Sequence, residues 1–532
     1  MNRISKNFEK ELKEKGLFEK VASLNAYVGD IHNHCGISYG YGTIEDAVKF
    51  ASSQLDFFSV TGHFAWPDME DDKSKLIPPD VIAYHKEGFE KLRRNWPHYQ
   101  EVMRGAERED FIPFFSYEYH SFEYGDYTIL CKNLDEDLPE RVKEGEKDTR
   151  LEKLVNGDES QTERFLSTPH HIGYKQGYRG INWTLYNEAV SPLVEIVSMH
   201  GCAEREEARP QYLHTMGPRS AKNTYQGGLS LGKHFGVVGS TDHHNAAPGS
   251  YGSGRTVIFL DKLSRDKVWT ALKTRHTSAA SGDPIEAMLF VNGYEGGVIV
   301  PKHNGKIEID AYVAGYDKLE KVEVIQNGNV IAASYMTENK CKKGTGFVSL
   351  RFGWGKKHLP AFWDVSIWCE NGSIISASPR LIGIDMVDPL DVPKDSKSAV
   401  PEFKISDGNV FMHFMSDGNA TAQTDSANGV AIETEVNAII CVKAKINWNG
   451  EILERSYKFP CSELLSGQLT EYVNGFVSPA IEVGRFRDMS ECTCHINTVV
   501  DTESQGALYL RAYQKNGDAI FTSPISFRNE ER

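Results

Sequence analysis

Up to about residue 285, short apolar runs alternate with stretches of helical periodicity. Residues 26–31 (AYVGDI) read as a strand running into His32, and residues 55–60 (LDFFSV) as the next, ending at Thr61-Gly62-His63. Between them, residues 43–54 (TIEDAVKFASSQ) predict a helix. Thr43 caps it, Glu45 and Asp46 occupy its first turn, and Ala47, Val48 and Ala51 mark an apolar face. Residues 79–104 are helical and highly charged. Residues 111–117 (FIPFFSY) form a strand ending at Glu118, 193–198 (LVEIVS) run into His200, and 235–239 (FGVVG) run into Asp242. Five strand ends thus deliver a candidate ligand, as when a β/α barrel assembles a site from the ends of many strands.

After residue 285 the helical period stops. Asn327-Gly328, Asn371-Gly372, Asp407-Gly408, Asp417-Gly418, Asn449-Gly450 and Asn516-Gly517 punctuate short alternating runs, the pattern of hairpins. The expected fold is therefore α/β followed by all-β: a barrel over 1–285, then two β-sandwich-like modules over 286–388 and 398–532. Residues 389–397 (PLDVPKDSK) are the expected linker between the modules. A weak internal repeat supports two similar modules. Trp368-Cys-Glu-Asn-Gly-Ser-Ile-Ile-Ser-Ala-Ser-Pro379 resembles Tyr513-Gln-Lys-Asn-Gly-Asp-Ala-Ile-Phe-Thr-Ser-Pro524, each reading as a strand, an Asn-Gly turn and a strand closed by Ser-Pro.

Composition narrows the class. The chain has 532 residues, 40% apolar and 11% aromatic, enough for several cores, and no run reaches the ~18 apolar residues of a membrane span. A net charge of −15 disfavours long nucleic acids as partners but is compatible with a small anionic substrate held by metals. The first sixteen residues (MNRISKNFEKELKEKG) lack the apolar core of a secretory signal. They read as a short polar helix with Phe8, Leu12 and Leu17 free to pack, so a cytoplasmic location is expected. Nine scattered cysteines fit reduced core residues, Cys35 among them; Cys492 and Cys494 are expected on one face of a strand.

The chemistry lies in three histidine clusters: His32-Asn33-His34, His170-His171 and Asp242-His243-His244, with His63, Glu118 and His200 between them. Imidazoles and carboxylates gathered together are the ligand set of a catalytic transition metal such as zinc, iron or manganese. On extended backbone, i and i+2 point the same way, so His32 and His34 can reach one ion, and Asp242 and His244 repeat that spacing. Glu118 has two oxygens with which to bridge two cations, and two bridged cations polarise an ester, lower the pKa of a bound water and brace the leaving group. Asp30 is expected to accept an N–H from a ligand imidazole. Lys175, Arg179, Arg255 and Arg275, in or near loops after these motifs, are candidate contacts for an anionic substrate. His85, His98, His214, His276, His303, His358, His413 and His495 read as ordinary surface or core residues, and Asp283 as structural.

Asp30-Ile-His-Asn-His34, Thr61-Gly-His63, Glu118, Pro169-His-His171 and Ser240-Thr-Asp-His-His244 together resemble, motif by motif and in order, the polymerase and histidinol phosphatase (PHP) superfamily. The amidohydrolases also open with His-x-His but continue with a Lys or Glu at mid-barrel and a single late Asp. The resemblance is closest to a PHP-like branch of large proteins with β-rich C-terminal regions. It rests on residues 168–174 (TPHHIGY), 179–183 (RGINW), 191–201 (SPLVEIVSMHG), 239–244 (GSTDHH) and 274–283 (TRHTSAASGD), and covers residues 26 to about 290.

The resemblance implies a distorted (β/α)7 barrel and two to three divalent ions (Zn, Mn or Fe). His32, His34, Glu118 and Asp242 would hold the first, and Glu118, His170 and His200 the second. His63 and His244 would contribute to a third. That third position is short of ligands: the family has Thr-Asp-His where this chain has Thr61-Gly62-His63, and an Asp or His where it has Tyr39-Gly40. His170 is the ligand by alignment, leaving His171 behind the metals or facing substrate. The implied activity is a metal-dependent hydrolase, foremost a phosphoesterase of small phosphorylated substrates, working through a metal-bridging hydroxide with Glu118, Asp242 and His170 at the centre. Two other readings stand: a C–N or C–O hydrolase on the same metals, or a non-catalytic metal-binding barrel whose β modules bind glycan or protein.

Overall fold

The structure, a computed structural model, describes residues 2–71, 75–140, 159–302, 304–336, 344–356, 358–383, 400–417, 427–503 and 506–528. It is a mixed α/β protein with extensive sheets and few helices. Ten strands precede residue 285: β1 (Asn25–Asp30), β2 (Phe57–Ala65), β3 (Ile112–Tyr119), β4 (Tyr127–Cys131), β5 (Phe165–Pro169), β6 (Leu193–Ser198), β7 (Gly201–Cys202), β8 (Gly236–Gly239), β9 (Arg255–Leu260) and β10 (Thr277–Ala280). β1, β2 and β3 are parallel neighbours; β4 and β5 extend the sheet antiparallel on one side, β9 and β10 on the other. β6, β7 and β8 form a separate small sheet. β6 lies alongside β5 and β8 alongside β10, which brings the two ends of the series together. Ser167 Oγ donates to the Val190 carbonyl at the first seam, and Thr277 Oγ1 to the Val237 carbonyl at the second.

The expected strands and helices of this half are present, with shifted edges. The first helix spans Ile44–Ser52; Thr43 Oγ1 accepts from the Asp46 N–H and the Asp46 carboxylate from the Thr43 N–H, a capping box. The charged segment is the 28-residue helix Pro79–Ala106, which buries Leu92, Trp96, Tyr99 and Met103 against β2 and β3. Every residue of β3 is buried, as expected of a strand covered on both faces. β2 and β3 run past their expected ends, so His63 and Glu118 lie within strands rather than after them.

The second half is all-β apart from two four-residue helices among its described residues. Its pairing corrects the sequential split at 286–388 and 398–532. Asn304–Ala314 pairs along its whole length with Thr493–Glu503, and Leu319–Gln326 pairs with Gly506–Gln514. The strands between Thr345 and Val483 form two sheets that enclose one core around Trp363, Phe414, Ile432 and Val442. The chain thus leaves one β unit, builds a second, and returns to finish the first. Local turn signals cannot reveal such nesting, because they report neighbours in sequence only.

The C-terminal strands also reach the first half. Ala519–Thr522 pairs with β10, placing residues 506–528 in the same sheet as β1–β5. Of the two repeat copies, only the second is a hairpin: Arg511 faces Phe521 across it. In the first copy Ala361–Glu370 and Ser376–Arg380 belong to different sheets, so the shared Asn-Gly turn makes a crossover. The expected linker 389–397 lies outside the described residues. The N-terminus forms three short helices, Arg3–Asn7, Glu9–Glu14 and Phe18–Ala22, with Phe8 and Leu12 packed in the core. The described cysteines are free, and Cys492 closes a short helix, so it does not share a strand with Cys494. Among the described residues no helix is long and apolar enough to cross a membrane.

Candidate metal centre

The two most distant motifs are joined by backbone. The Asp242 N–H donates to the His32 carbonyl (2.7 Å), the His34 N–H to the His243 carbonyl (2.8 Å), and the Ala246 N–H to the His34 carbonyl (3.0 Å). Asp30 clamps this pairing from below. Its carboxylate accepts the His32 and Thr241 N–H groups, the Thr241 hydroxyl (2.6 Å) and the Gly249 N–H (2.8 Å). Asp30 therefore positions loops; the expected acceptance of a ligand imidazole N–H is replaced by these backbone and hydroxyl donors. Parallel pairing of β2 and β3 sets His63 directly beside Glu118.

Glu118 is the hub. Its Oε2 lies 3.6, 3.2 and 3.3 Å from the Nε2 atoms of His32, His34 and His63, and its Oε1 lies 3.0 Å from His170 Nε2 and 3.1 Å from His120 Nδ1. Asp242 is a second bridge: Oδ1 is 3.1 Å from His34 Nε2 and 3.4 Å from His32 Nε2, and Oδ2 is 2.8 Å from His200 Nε2. Among the described residues, groups with ligand atoms within 4.8 Å of one another form five overlapping sets, all buried except the half-buried His244. They are His32/His34/Asp242, His34/His63/His244, His63/Glu118/His120, Glu118/Asp126/His170/His171 and His171/His200/Asp242. The expected grouping of His170 with His200 is redrawn: His171 stands between them, in ligand range of both sets.

Outer hydrogen bonds fix which ring nitrogen faces inward. His32 Nδ1 bonds Glu195 Oε2 (2.8 Å) and His244 Nδ1 donates to the Asp242 carbonyl (2.8 Å), so both present Nε2 to the cluster. Arg179 Nη2 can only donate, so His120 Nδ1 accepts from it (2.7 Å), and His120 Nε2–H donates to the Tyr39 hydroxyl (3.2 Å). Tyr174 Oη bonds His200 Nδ1 (2.7 Å) and Thr128 Oγ1 bonds His170 Nδ1 (3.2 Å).

Protonation follows the same design. Burial would raise Glu118 and Asp242, but the surrounding imidazoles hold both well below the usual carboxylate range. Burial, helped by neighbouring imidazoles, holds His63, His171 and His244 well below theirs and lowers His170 to about 4. His32 is raised because Asp242 and Glu195 outweigh its burial, while burial lifts Glu195 to about 7. Ionised carboxylates beside neutral rings are the forms that bind a metal ion. Three buried atoms of the cluster have no hydrogen-bond partner: Glu118 Oε2, His34 Nδ1 and His171 Nδ1. An unpaired carboxylate oxygen facing three ring nitrogens is costly in a dry interior, and divalent cations would relieve that cost. The donor set fits such ions.

The departure at Gly62 has a steric cause. A Cβ there would meet Leu92 Cδ1 at 2.3 Å, so the long helix occupies the space an Asp would need. Tyr39 stacks on His63 with ring centroids 3.4 Å apart. His171, Arg179 and Asp242 hold positive φ (29°, 72° and 52°), and non-glycine residues there concentrate at functional sites.

Of the four basic candidates, only Arg179 reaches the cluster. It pairs with Asp126 and lies 3.7 Å from Glu118 Oε1, with its side chain 17% exposed. Arg255 is buried below the site, bonding Gly249 and Gln54; Arg275 bonds the Gly297 carbonyl; Lys175 is exposed, over the Tyr178 ring. None of these three is placed against the cluster. Two histidines read as ordinary lie against the cluster: His85 beside Tyr39 and His120, and His214 over His200. Asp283 is structural, paired with Arg380.

Sequence reading missed His120, Asp126 and Glu195. His120 sits two residues after Glu118, the same spacing that linked His32 to His34. Glu195 is a lone charge inside an apolar strand, a signal of a buried partner. Asp126 follows a glycine in a loop and carried no signal.

No protein-family model matches the chain. Two uncharacterized proteins, from Chlamydia muridarum and Chlamydia trachomatis, are 26% and 25% identical over 261 residues, 44% of this chain. The match spans 41% of the length of either relative. A solved two-domain protein from Bacteroides vulgatus, described as containing a predicted PHP-like metal-dependent phosphoesterase, is 13% identical with a TM-score of 0.33, covering 61% of this chain and 90% of that one. Endonuclease Q, solved with a 27-mer duplex carrying an abasic lesion, is 12% identical with a TM-score of 0.29, covering 47% and 56%. Both scores fall below 0.5, so neither neighbour bears on what this chain does.

Proposed function

We propose that this chain is a metal-dependent hydrolase of small phosphate esters, of the PHP type, with its site at one mouth of a distorted barrel built from β1–β10. One observation carries this reading: a buried carboxylate, Glu118, has one oxygen without a hydrogen-bond partner and three imidazole nitrogens within 3.6 Å of that oxygen. His32, His34, His63, Glu118, His170, His200, Asp242 and His244 are the ligands we assign, and Asp126 and His171 join them, while His120, with its ring nitrogens engaged by Arg179 and Tyr39, stands behind them. Divalent Zn, Mn or Fe held there would polarise a phosphoryl oxygen and lower the pKa of water.

The chain's own residues orient and hold charge. Glu195 aims His32, Tyr174 aims His200, and Asp242 and Glu118 each serve two groups of imidazoles. Arg179 is the cation of the cluster with partial exposure, and it supplies the preference for an anionic substrate. The triad His34, His63 and His244 supports a third ion despite Gly62. Burial pushes the Cys35 and Cys202 thiols up to about 12, which makes both poor nucleophiles, and the nucleophile we assign is water.

The test is hydrolysis of aryl phosphate mono- and diesters with Mn²⁺ or Zn²⁺, comparing the native chain with Glu118→Gln. Phosphate ester turnover lost in the variant is the expected result. Equal turnover in both overturns the mechanism, and cleavage of anilides in place of phosphate esters transfers the site to C–N hydrolysis.

A further inference from the structure

A pocket of about 210 Å³, lined by none of the metal ligands, lies beside β1 and β9. It is half open and lies between the N-terminal helix Arg3–Asn7, β1, β9 and the strand Ser376–Arg380 of the nested β unit. Its lining includes Arg3, Lys6, Arg255, Tyr316, Ser376 and Ser378.

Arg3 is the unusual member. It is 8% exposed, its guanidinium lies 4.2 Å from the Tyr316 ring centroid and 4.5 Å from that of Phe347, and Nη2 donates to the Gly315 carbonyl. Its Nε and Nη1 have no partner among the described residues. Two unmet donors on a buried cation are expensive unless something accepts from them. The carboxylates nearby are already engaged: Glu286 accepts the Arg3 and Ile4 backbone N–H groups, and Glu433 accepts from Ser376 Oγ (2.7 Å). Three cations thus line a space containing one lining carboxylate. A water takes up about 30 Å³ of liquid, so the cavity has room for a tetrahedral ion with part of its hydration.

We propose that this cavity binds a small tetrahedral oxyanion, phosphate or sulfate, between Arg3, Lys6 and Arg255. The site is separate from the metal centre but tied to it by three residues. Arg255 holds the Gly249 carbonyl (2.7 Å), the Gly249 N–H donates to Asp30 (2.8 Å), and Asp30 fixes the His32 and Thr241 backbone.

Equilibrium dialysis with radiolabelled inorganic phosphate tests this on the metal-loaded full chain. Lys6 is exposed, so Lys6→Glu reverses a charge at the cavity without disturbing a core. We expect a phosphate site that survives in Glu118→Gln and weakens at least tenfold in Lys6→Glu and in Arg3→Gln, while Lys6→Glu keeps its metal content and aryl phosphate turnover. Phosphate binding that is absent, that disappears wholly with Glu118→Gln, or that is unchanged in both Lys6→Glu and a folded Arg3→Gln overturns the proposal.

Discussion

Two buried charge clusters in this molecule make opposite use of similar residues. At the junction of the two halves, Arg380 meets Asp283 through two hydrogen bonds of 2.8 and 2.7 Å, and Gln514 and Asn516 satisfy the same carboxylate. Asp518 joins by accepting from the Tyr251 hydroxyl and the Asp283 N–H. Among the described residues, no fully buried side-chain nitrogen or oxygen of Asp283, Arg380 or Asp518 lacks a partner. At the strand ends, by contrast, Glu118, Asp126, Glu195 and Asp242 crowd around imidazoles held mostly neutral, and three atoms are left unpaired. A closed network fixes structure; an open one retains affinity for something the polypeptide does not supply. Burial and charge density do not separate the two, but hydrogen-bond completeness does.

The sharpest way to break this contrast is Glu118→Gln. Turnover should fall on the order of 10³-fold, with bound metal reduced, while the fold persists. Unchanged metal content by elemental analysis would return Glu118 to the structural class. The mirror experiment is Arg380→Met, which strands Asp283 in a dry interior. A loss of about 3–5 kcal/mol in unfolding free energy is expected, with metal stoichiometry intact; a variant that keeps its stability but loses its metals would invert the assignment.

How much of this was legible in the sequence follows the range of each signal. Thr43 announced its helix cap, and β1, β3, β6 and β8 announced themselves as apolar runs before ligands, because these are local patterns. His120 was legible in principle by the i, i+2 rule. Asp126 was not: besides His120, itself unread, it meets the cluster through Arg179 and His171, residues more than forty positions away. The nesting of one β unit within another was hidden for the same reason. Pairing of Asn304–Ala314 with Thr493–Glu503 leaves no mark on either segment alone.

Two smaller effects refine the comparison. Glu195→Gln keeps the shape but weakens the hold on His32, so metal affinity should drop roughly 10–100-fold in a competition titration; an unchanged affinity would make Glu195 mere packing. Asp518 tests the closed network by pH. Burial, reinforced by Asp283, lifts it from its ordinary 3.8 to about 7. The folded chain then keeps a proton that the unfolded chain has lost between those values, so this group's stabilisation declines as pH rises from about 4 to about 7. Asp518→Asn stays neutral throughout, and its melting temperature should gain on the native chain across that window. Parallel melting curves would show that the proton is not held.

The return of residues 506–528 to the edge of β10 also bears on synthesis. A nascent chain that has only just passed residue 285 carries every metal ligand we assign, yet one margin of their sheet is bare until its last strands arrive. Unpaired edges invite misassociation. The half that holds the chemistry is therefore finished last, by the half that does not.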